Sequence, residues 1–461
     1  MIRIWGRVLN KNVIWIAIGD FILFVFALTV AVFWRFAPSE AFDYVKHRLP
    51  LFIIFMVIFF ICFTIADLYD LKKDFRRAQH LLHVLAACAV AMVISTLFFY
   101  SSTTYIGRGI FAVSGVLIFL SASLIRSLST SLGSQKKWQK KVLIVGAGKS
   151  GQKLLKTVNE YPNCGMNIVG FVDDDRSKVG ENIGGKPVLG RCNELIGLAG
   201  KQNADIVVVC ITNNKSDALV RNLIRCHYNL ITVMDMPSFF EAITGKLPLD
   251  HITDEWLLHY AMSSDRGIYR KIKRLFDIVL SFVLLYVTSS VVLLATLLIR
   301  LDSKGELFYK QERVGMNFKK FHIIKFRTMV ADAERDTGAV WASKGDRRIT
   351  RVGKYLRKFR IDEIPQLMNV LMGDMSFVGP RPERDVFIRE LEKDMPAYGH
   401  RLAVKPGITG WAQVMYPYAA TKEESKEKLR YDLYYIKNMS IILDTLIALK
   451  TVRTVISCGG H

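Results

Sequence analysis

Asp362 and Glu363 are adjacent carboxylates just ahead of Pro365, and Arg381 follows 18 residues after Glu363 within Gly379-Pro-Arg-Pro382. A carboxylate that can attack phosphorus, a carboxylate that can hold a metal and a guanidinium that can grip phosphate are the parts of a phosphoryl-transfer site. Upstream, Lys325-Phe-Arg-Thr-Met329 places Lys325 and Arg327 two residues apart, so an extended backbone points both the same way. Two cations on one face suit a diphosphate; a basic strand touching lipid headgroups is the plainer use.

These groups need rigid presentation. Ile349–Glu363 reads as a helix with Arg351, Lys354, Arg357 and Lys358 on one face, either a solvated stripe or a phosphate contact. Around a helix, Asp362 and Glu363 stand ~100° apart and can address different partners. The plainer alternative is an acidic helix end neutralising Arg357 and Arg360. Gly379, Pro380 and Pro382 fix the turn that presents Arg381. Pro406-Gly-Ile-Thr-Gly-Trp411 reads as a rigid turn pair in which Trp411 packs a nucleobase or the core. The tail, 441–456, has one apolar face with Lys450 and Arg453 opposite. It suits a membrane surface or a core closure.

Three blocks, Lys325–Met329, Arg360–Glu383 and Pro406–Val414, together resemble the bacterial sugar transferase family, the monotopic polyprenyl-phosphate phosphoglycosyl transferases. The resemblance runs from about Lys271 to the C-terminus, and the segments ahead of it are similar to the large subfamily. It implies that Asp362 is the nucleophile, that Glu363 is the Mg²⁺ ligand, and that Arg381 and Arg357 clamp phosphate alongside Lys325 and Arg327. It implies transfer of a hexose 1-phosphate, glucose or galactose, from a UDP-sugar to undecaprenyl phosphate, with UMP released through a phosphosugar–aspartyl intermediate. That step starts exopolysaccharide, capsule or O-antigen synthesis. The implied partners are the UDP-sugar, undecaprenyl phosphate, the bilayer and a second copy of the chain, but not nucleic acid.

The chain has 461 residues, net charge +22 and 51% hydrophobic residues. Apolar blocks combined with so basic a balance favour anionic membrane surfaces and substrates over nucleic acid. Seven cysteines are scattered without a CxxC pair, which gives no zinc spacing. Four apolar blocks open the chain, near 13–34, 51–66, 81–100 and 109–125, the second and fourth close to the lower limit of ~17 residues for a span. The first is too long for a signal-peptide core. Arg3, Arg7, Lys11, Lys72, Lys73, Arg76, Arg77, Arg126, Lys136, Lys137, Lys140 and Lys141 flank one side, against Arg35, Lys46, Arg48 and Arg108 on the other. Both ends of the bundle therefore face the cytoplasm. No intramembrane run of ionisable residues suggests a transport path, so the bundle reads as an anchor or assembly surface.

Lys141-Val-Leu-Ile-Val-Gly-Ala-Gly-Lys-Ser-Gly151 reads as a strand, a glycine-rich turn and a helix start, with Gly146, Gly148 and Gly151 at G-x-G-x-x-G spacing. Such a turn brings backbone to a pyrophosphate, but the same glycines also serve helix–strand packing. Asn167–Val172 reads as a second strand ending at Asp173, where a ribose-binding acid would sit, and Asp205–Cys210 as a buried parallel strand. A nucleotide in this domain and a purely structural role both stand.

Leu275–Ile299 is again apolar and basic on both flanks, so both ends stay on one side: a re-entrant helix rather than a span. The family's membrane helix usually bends at a proline. Here Ser289, within Thr288-Ser-Ser290, takes that position, and hydroxyls bend a helix more weakly than proline.

The expected architecture is a membrane protein of three parts: four transmembrane helices over 1–130, a Rossmann-like α/β domain over 131–262, and an α+β monotopic catalytic domain over 263–461 with a re-entrant helix at 273–300. The expected location is the bacterial inner membrane, multi-pass, with the catalytic domain cytoplasmic. Two rivals are weighed. A nucleotide-sugar dehydratase would need a Tyr-x-x-x-Lys pair, and the suggestive match, Tyr269 and Lys273, sits at a membrane-helix entry. A non-enzymatic sensor or scaffold would keep its role after Asp362→Asn.

Overall fold

The computed structural model describes residues 2–4, 7–9, 11–69, 77–100, 106–133, 139–211, 216–249, 267–330, 348–416 and 421–456. They fall into two compact units, Met1–Gly245 and Lys246–His461.

The first unit opens with a short hairpin, β1 (Ile2–Ile4) and β2 (Arg7–Leu9), then four long helices: α1 (Lys11–Arg35), α2 (Pro38–Ile65), α3 (Arg77–Tyr100) and α4 (Arg108–Gly133). Each has a stretch long and apolar enough to cross a membrane. The second and fourth outrun their apolar blocks, because α2 begins in the polar stretch from Pro38 and α4 runs on through serines to Gly133. Phe24, Phe55, Phe59 and Phe63 are fully buried between the helices, while Trp15 and Leu97 point outward. Inside the bundle, Arg126 of α4 donates Nη1 to Asp20 Oδ1 at 3.0 Å and Nη2 to Asp20 Oδ2 at 2.9 Å, and the Tyr69 hydroxyl donates to the same Oδ2 at 2.8 Å. Arg126 is thus a buried partner of α1 and not one of the flanking charges that set orientation. Lys72, Lys73, Arg76, Lys136 and Lys137 lie outside the described residues.

A six-stranded mixed sheet follows in the order β5-β6-β4-β3-β7-β8. Its strands are β3 (Lys140–Val145), β4 (Met166–Val172), β5 (Asn182–Ile183), β6 (Lys186–Gly190), β7 (Ile206–Val209) and β8 (Thr232–Asp235). All pair in parallel except β5 with β6. Helices α5 (Lys149–Glu160), α6 (Leu195–Gln202) and α7 (Asp217–Tyr228) lie between its strands, and α8 (Met236–Thr244) follows β8. The strands of the centre are apolar on both faces because separate clusters bury each face: Val142 and Ile144 on one, Leu143 and Val145 on the other.

In the second unit, α9 (Gly267–Val287) and α10 (Ser289–Asp302) are bent by 61° at Thr288. The Thr288 hydroxyl donates to the Leu284 carbonyl at 2.6 Å, the back-bonding expected of a hydroxyl at a bend. A hairpin follows, β9 (Phe308–Val314) with β10 (Lys320–Phe326), then α11 (Arg351–Lys358), a single 3₁₀ turn at Ile361–Glu363, and α12 (Gln366–Met372). Strand β11 (Ser376–Val378) pairs in parallel with β12 (Gly407–Thr409), on either side of α13 (Asp385–Asp394) and a 3₁₀ stretch at Pro396–Ala403. The chain closes with α14 (Trp411–Met415), α15 (Lys422–Lys437) and α16 (Ile441–Ile456). Helix α16 closes the core: Leu443 and Ile447 are fully buried in the cluster that also holds Tyr435 and Trp411. Trp411 stacks on Tyr434, centroids 5.9 Å apart, so its ring is a packing group.

Candidate active site

The carboxylates sit at a break between two helices, not along one. Thr350 caps α11, its hydroxyl accepting from the Gly353 N–H at 3.0 Å, and the helix stops where Arg360 turns left-handed at φ 55°. The continuous helix read over 349–363 is therefore corrected. Pro365, with no N–H to give the preceding turn, sits at the head of α12. Between them the 3₁₀ turn holds Asp362 and Glu363, each 8% exposed.

Glu363 is gripped. Arg381 Nη2 lies 2.7 Å from its Oε1, Lys325 Nζ 3.2 Å from the same oxygen, and Arg360 Nη1 3.6 Å from Oε2. Burial works to raise its pKa, but the charges of Arg381, Lys325 and Arg360 outweigh it and hold the carboxyl well below the usual range. Asp362 has neither hydrogen bond nor ion pair among the described residues. Burial first, and then the Glu363 charge, push its pKa up to about 6 against the pull of Lys325, Arg357 and Arg381. Two neighbouring carboxyls are thus driven in opposite directions, Glu363 down to a fixed anion and Asp362 up toward a base.

The turn that delivers Arg381 is built by backbone crowding. The Gly379 N–H donates to the Thr409 carbonyl at 2.8 Å and the Gly407 N–H to the Pro380 carbonyl at 2.8 Å. A Cβ on Gly379 would stand 2.4 Å from the Lys405 carbonyl oxygen, and one on Gly407 2.1 Å from the Gly379 nitrogen. Only glycine lets these two segments touch. Arg401, missed in the sequence, fixes the turn from behind. It donates to the Arg381 carbonyl at 3.0 Å, to Asp432 Oδ2 at 2.9 Å and to the Tyr398 hydroxyl at 2.6 Å. Its partners are scattered along the chain, and no local spacing signals them.

Of the residues singled out from sequence, the fold unites Asp362, Glu363, Lys325 and Arg381, with Arg357 on α11 near enough for its charge to act on Asp362. Arg327 lies one residue past β10, its N–H still bonded to the Leu307 carbonyl at 2.9 Å, and its Nη2 donates to the Ser303 carbonyl at 2.6 Å and hydroxyl at 3.1 Å, so its guanidinium holds the residue after α10.

Among the described residues no cluster of three His, Cys, Asp or Glu side chains could hold a metal. Mg²⁺ commonly takes one or two carboxylates plus substrate phosphates, so Glu363 as a single carboxylate fits an ion completed by a diphosphate, not one caged by protein alone.

In the first unit, Gly146 adopts φ 104°, and a Cβ on Gly151 would stand 2.1 Å from the Gly146 oxygen, so both glycines serve the turn itself. A Cβ on Gly148 would meet nothing within 4 Å. Asp173 Oδ2 accepts from the Ala147 N–H at 2.7 Å and Oδ1 from the Asp175 N–H at 3.0 Å, so this carboxylate ties the loop after β4 to the glycine-rich turn.

Comparison with known proteins places the chain in a family. A family model described as bacterial sugar transferase matches residues 268–458, and one described as CoA-binding domain matches 64–237. The UDP-N-acetylgalactosamine-undecaprenyl-phosphate N-acetylgalactosaminephosphotransferase of Aeromonas hydrophila is 43% identical over 52% of this chain and 56% of its own, little more than half its length. The UDP-glucose:undecaprenyl-phosphate glucose-1-phosphate transferase of Xanthomonas campestris pv. campestris is 32% identical over 75% of this chain and 73% of its own. The protein of that name from Escherichia coli (strain K12) is 27% identical over 91% of both chains. Motif blocks, site geometry and relatives agree: the chain belongs to the bacterial sugar transferase family.

Proposed function

We propose that the protein transfers a sugar 1-phosphate from a UDP-sugar to undecaprenyl phosphate and releases UMP. The observation that carries this is a buried Asp362, without hydrogen bond or ion pair to its side chain among the described residues, beside a Glu363 already neutralised by Arg381 and Lys325. An Asp362 oxygen attacks the phosphorus next to the sugar. A P–O bond forms to Asp362, and the bond to the UMP oxygen breaks. An oxygen of the lipid phosphate then attacks the same phosphorus, and the aspartate leaves with its electron pair. Arg381 and Lys325 turn from Glu363 to the incoming phosphates, and Arg357 supports the charge on Asp362. Mg²⁺ held by Glu363 and the donor would supply Lewis-acid neutralisation of the diphosphate.

The bend at Thr288 and the basic flanks Arg270, Lys271, Arg300 and Lys304 support a re-entrant α9–α10 pair in a bacterial inner membrane. The four N-terminal helices then form a multi-pass anchor, and the site stays on the cytoplasmic face, where nucleotide-activated sugars are. The open space at Gly148 supports a nucleotide in a Rossmann-like reading of the mixed sheet, whereas the bonds of Asp173 favour a structural one. Expected cargoes are glucose or galactose 1-phosphate. N-acetylgalactosamine 1-phosphate joins them because the relative at 43% identity bears that name. The product would start a surface polysaccharide.

UMP release by the full chain in nanodiscs, with undecaprenyl phosphate, Mg²⁺ and each UDP-sugar in turn, tests the reading. Lipid-dependent release that vanishes in Asp362→Asn supports it. Equal release from the variant removes Asp362 as nucleophile.

A further inference from the structure

Helix α9 carries Tyr269, Lys273 and Asp277 at i, i+4 and i+8, which places them on one face. The Tyr-x-x-x-Lys spacing has a use here unrelated to nicotinamide chemistry. The Tyr269 hydroxyl donates to Asp444 Oδ2 at 2.8 Å, and Lys273 Nζ donates to the same oxygen at 3.0 Å. Asp444, on α16, is completely buried. Its Oδ1 faces the Tyr435 hydroxyl at 2.8 Å, and that hydroxyl also lies 3.1 Å from the Val378 carbonyl oxygen. One turn beyond Lys273, buried Asp277 accepts from the Ser376 hydroxyl at 2.8 Å and from the Phe377 N–H at 3.0 Å. Every residue of β11 is therefore tied to α9, two directly and Val378 through Tyr435 and Asp444. Strand β11 runs straight into Gly379-Pro380-Arg381. Arg274, on the same helix, donates to the Val370 and Leu371 carbonyls at the far end of α12, the helix that starts just after Asp362 and Glu363.

We infer that Asp277 and Asp444 are positioning residues that transmit the seating of α9 to the turn aiming Arg381 at Glu363. The functional half of this rests on the reaction proposed above; the mechanical half does not. A buried carboxylate accepting from two donors loses both geometries when either partner moves, so a shift of α9 reaches Arg381 without touching substrate.

Hydrogen exchange on the full chain in nanodiscs reads the mechanical half. Asp277→Asn and the milder Tyr435→Phe are expected to raise exchange over 376–384 by about tenfold, with 322–326, which bond to β9 and Asn369 and not to that segment, at the wild-type rate. Unchanged exchange over 376–384, or an equal rise over 322–326, overturns the inference, the second because it reports general loosening. A double-mutant cycle reads the functional half. Asp277→Asn should lower kcat for UMP release by about tenfold in the wild type and by less than twofold on an Arg381→Ala background. Losses that multiply in the double variant overturn it. If the wild type releases no UMP from any donor, the proposed reaction fails and the exchange result alone decides the coupling.

Discussion

Arg381 Nη2 lies 2.7 Å from Glu363 Oε1, although 18 residues separate them in the chain. Lys325 reaches the same oxygen from β10. Two cations on one carboxylate oxygen leave the neighbouring Asp362 as the anion with neither hydrogen bond nor ion pair among the described residues. The site is thus asymmetric before any substrate arrives, and the asymmetry can be tested.

Replacing the fork tests its geometry. Arg381→Lys keeps the charge but loses the planar pair of donors, and kcat/KM for UMP release should fall by about 10²-fold. Measured rates within threefold of wild type would show that a point charge suffices.

The acid limb of the pH profile belongs to Asp362. Its folded pKa is raised to about 6, so the attacking form is lost as pH falls through that value. The rate of UMP formation should drop about tenfold per unit below it. Stability moves the other way. A carboxyl raised by folding favours the fold when protonated, and that contribution fades as pH rises through 6. Asp362→Asn should therefore unfold at a higher temperature than wild type at pH 8, with the gap closing near pH 4. A melting series across that range checks the sign.

Gly379→Ala drives a methyl into the Lys405 carbonyl oxygen, 2.4 Å from the ideal Cβ position. Overpacking of this kind costs about 1–3 kcal/mol. Thermal unfolding should fall accordingly, and donor affinity should fall further because Arg381 is displaced with the turn.

The bend at Thr288 predicts one-sided access. Cysteines placed by Arg270→Cys and Lys304→Cys should react with a membrane-impermeant maleimide from the cytoplasmic face in inverted vesicles. Reaction of Lys304→Cys from the opposite face would make α9 and α10 a span. Ser289→Pro should retain activity, since Ser289 is the first residue of α10, where proline fits and no backbone bond across the break is lost.

What was readable in the sequence was local. Asp362, Glu363 and Arg381 sit in a dense run of charged, glycine and proline residues, and Lys325 lies in the short block Lys325–Met329 with Arg327 two residues on. The contact of Arg327 with the Ser303 carbonyl, 24 residues away and just past α10, has no local signal. The helix through 349–363 was misread because nothing in Arg360 itself announces a left-handed backbone. Arg401 and Asp432 stand 31 residues apart, and their pairing exists only once α15 packs. The same holds for Asp444, whose partners come from α9 and α15.

The pair formed by Asp20 and Arg126 carries a consequence for biosynthesis. The two residues are 106 positions apart, on α1 and α4. During synthesis α1 emerges with a carboxylate in its apolar stretch long before its guanidinium partner has been made. An unpaired charge is poorly tolerated in lipid, so α1 has to be held by the insertion machinery until α4 arrives. Release of the finished bundle into the bilayer is then timed by its last helix, and a chain truncated before Arg126 would be left as a substrate for membrane quality control.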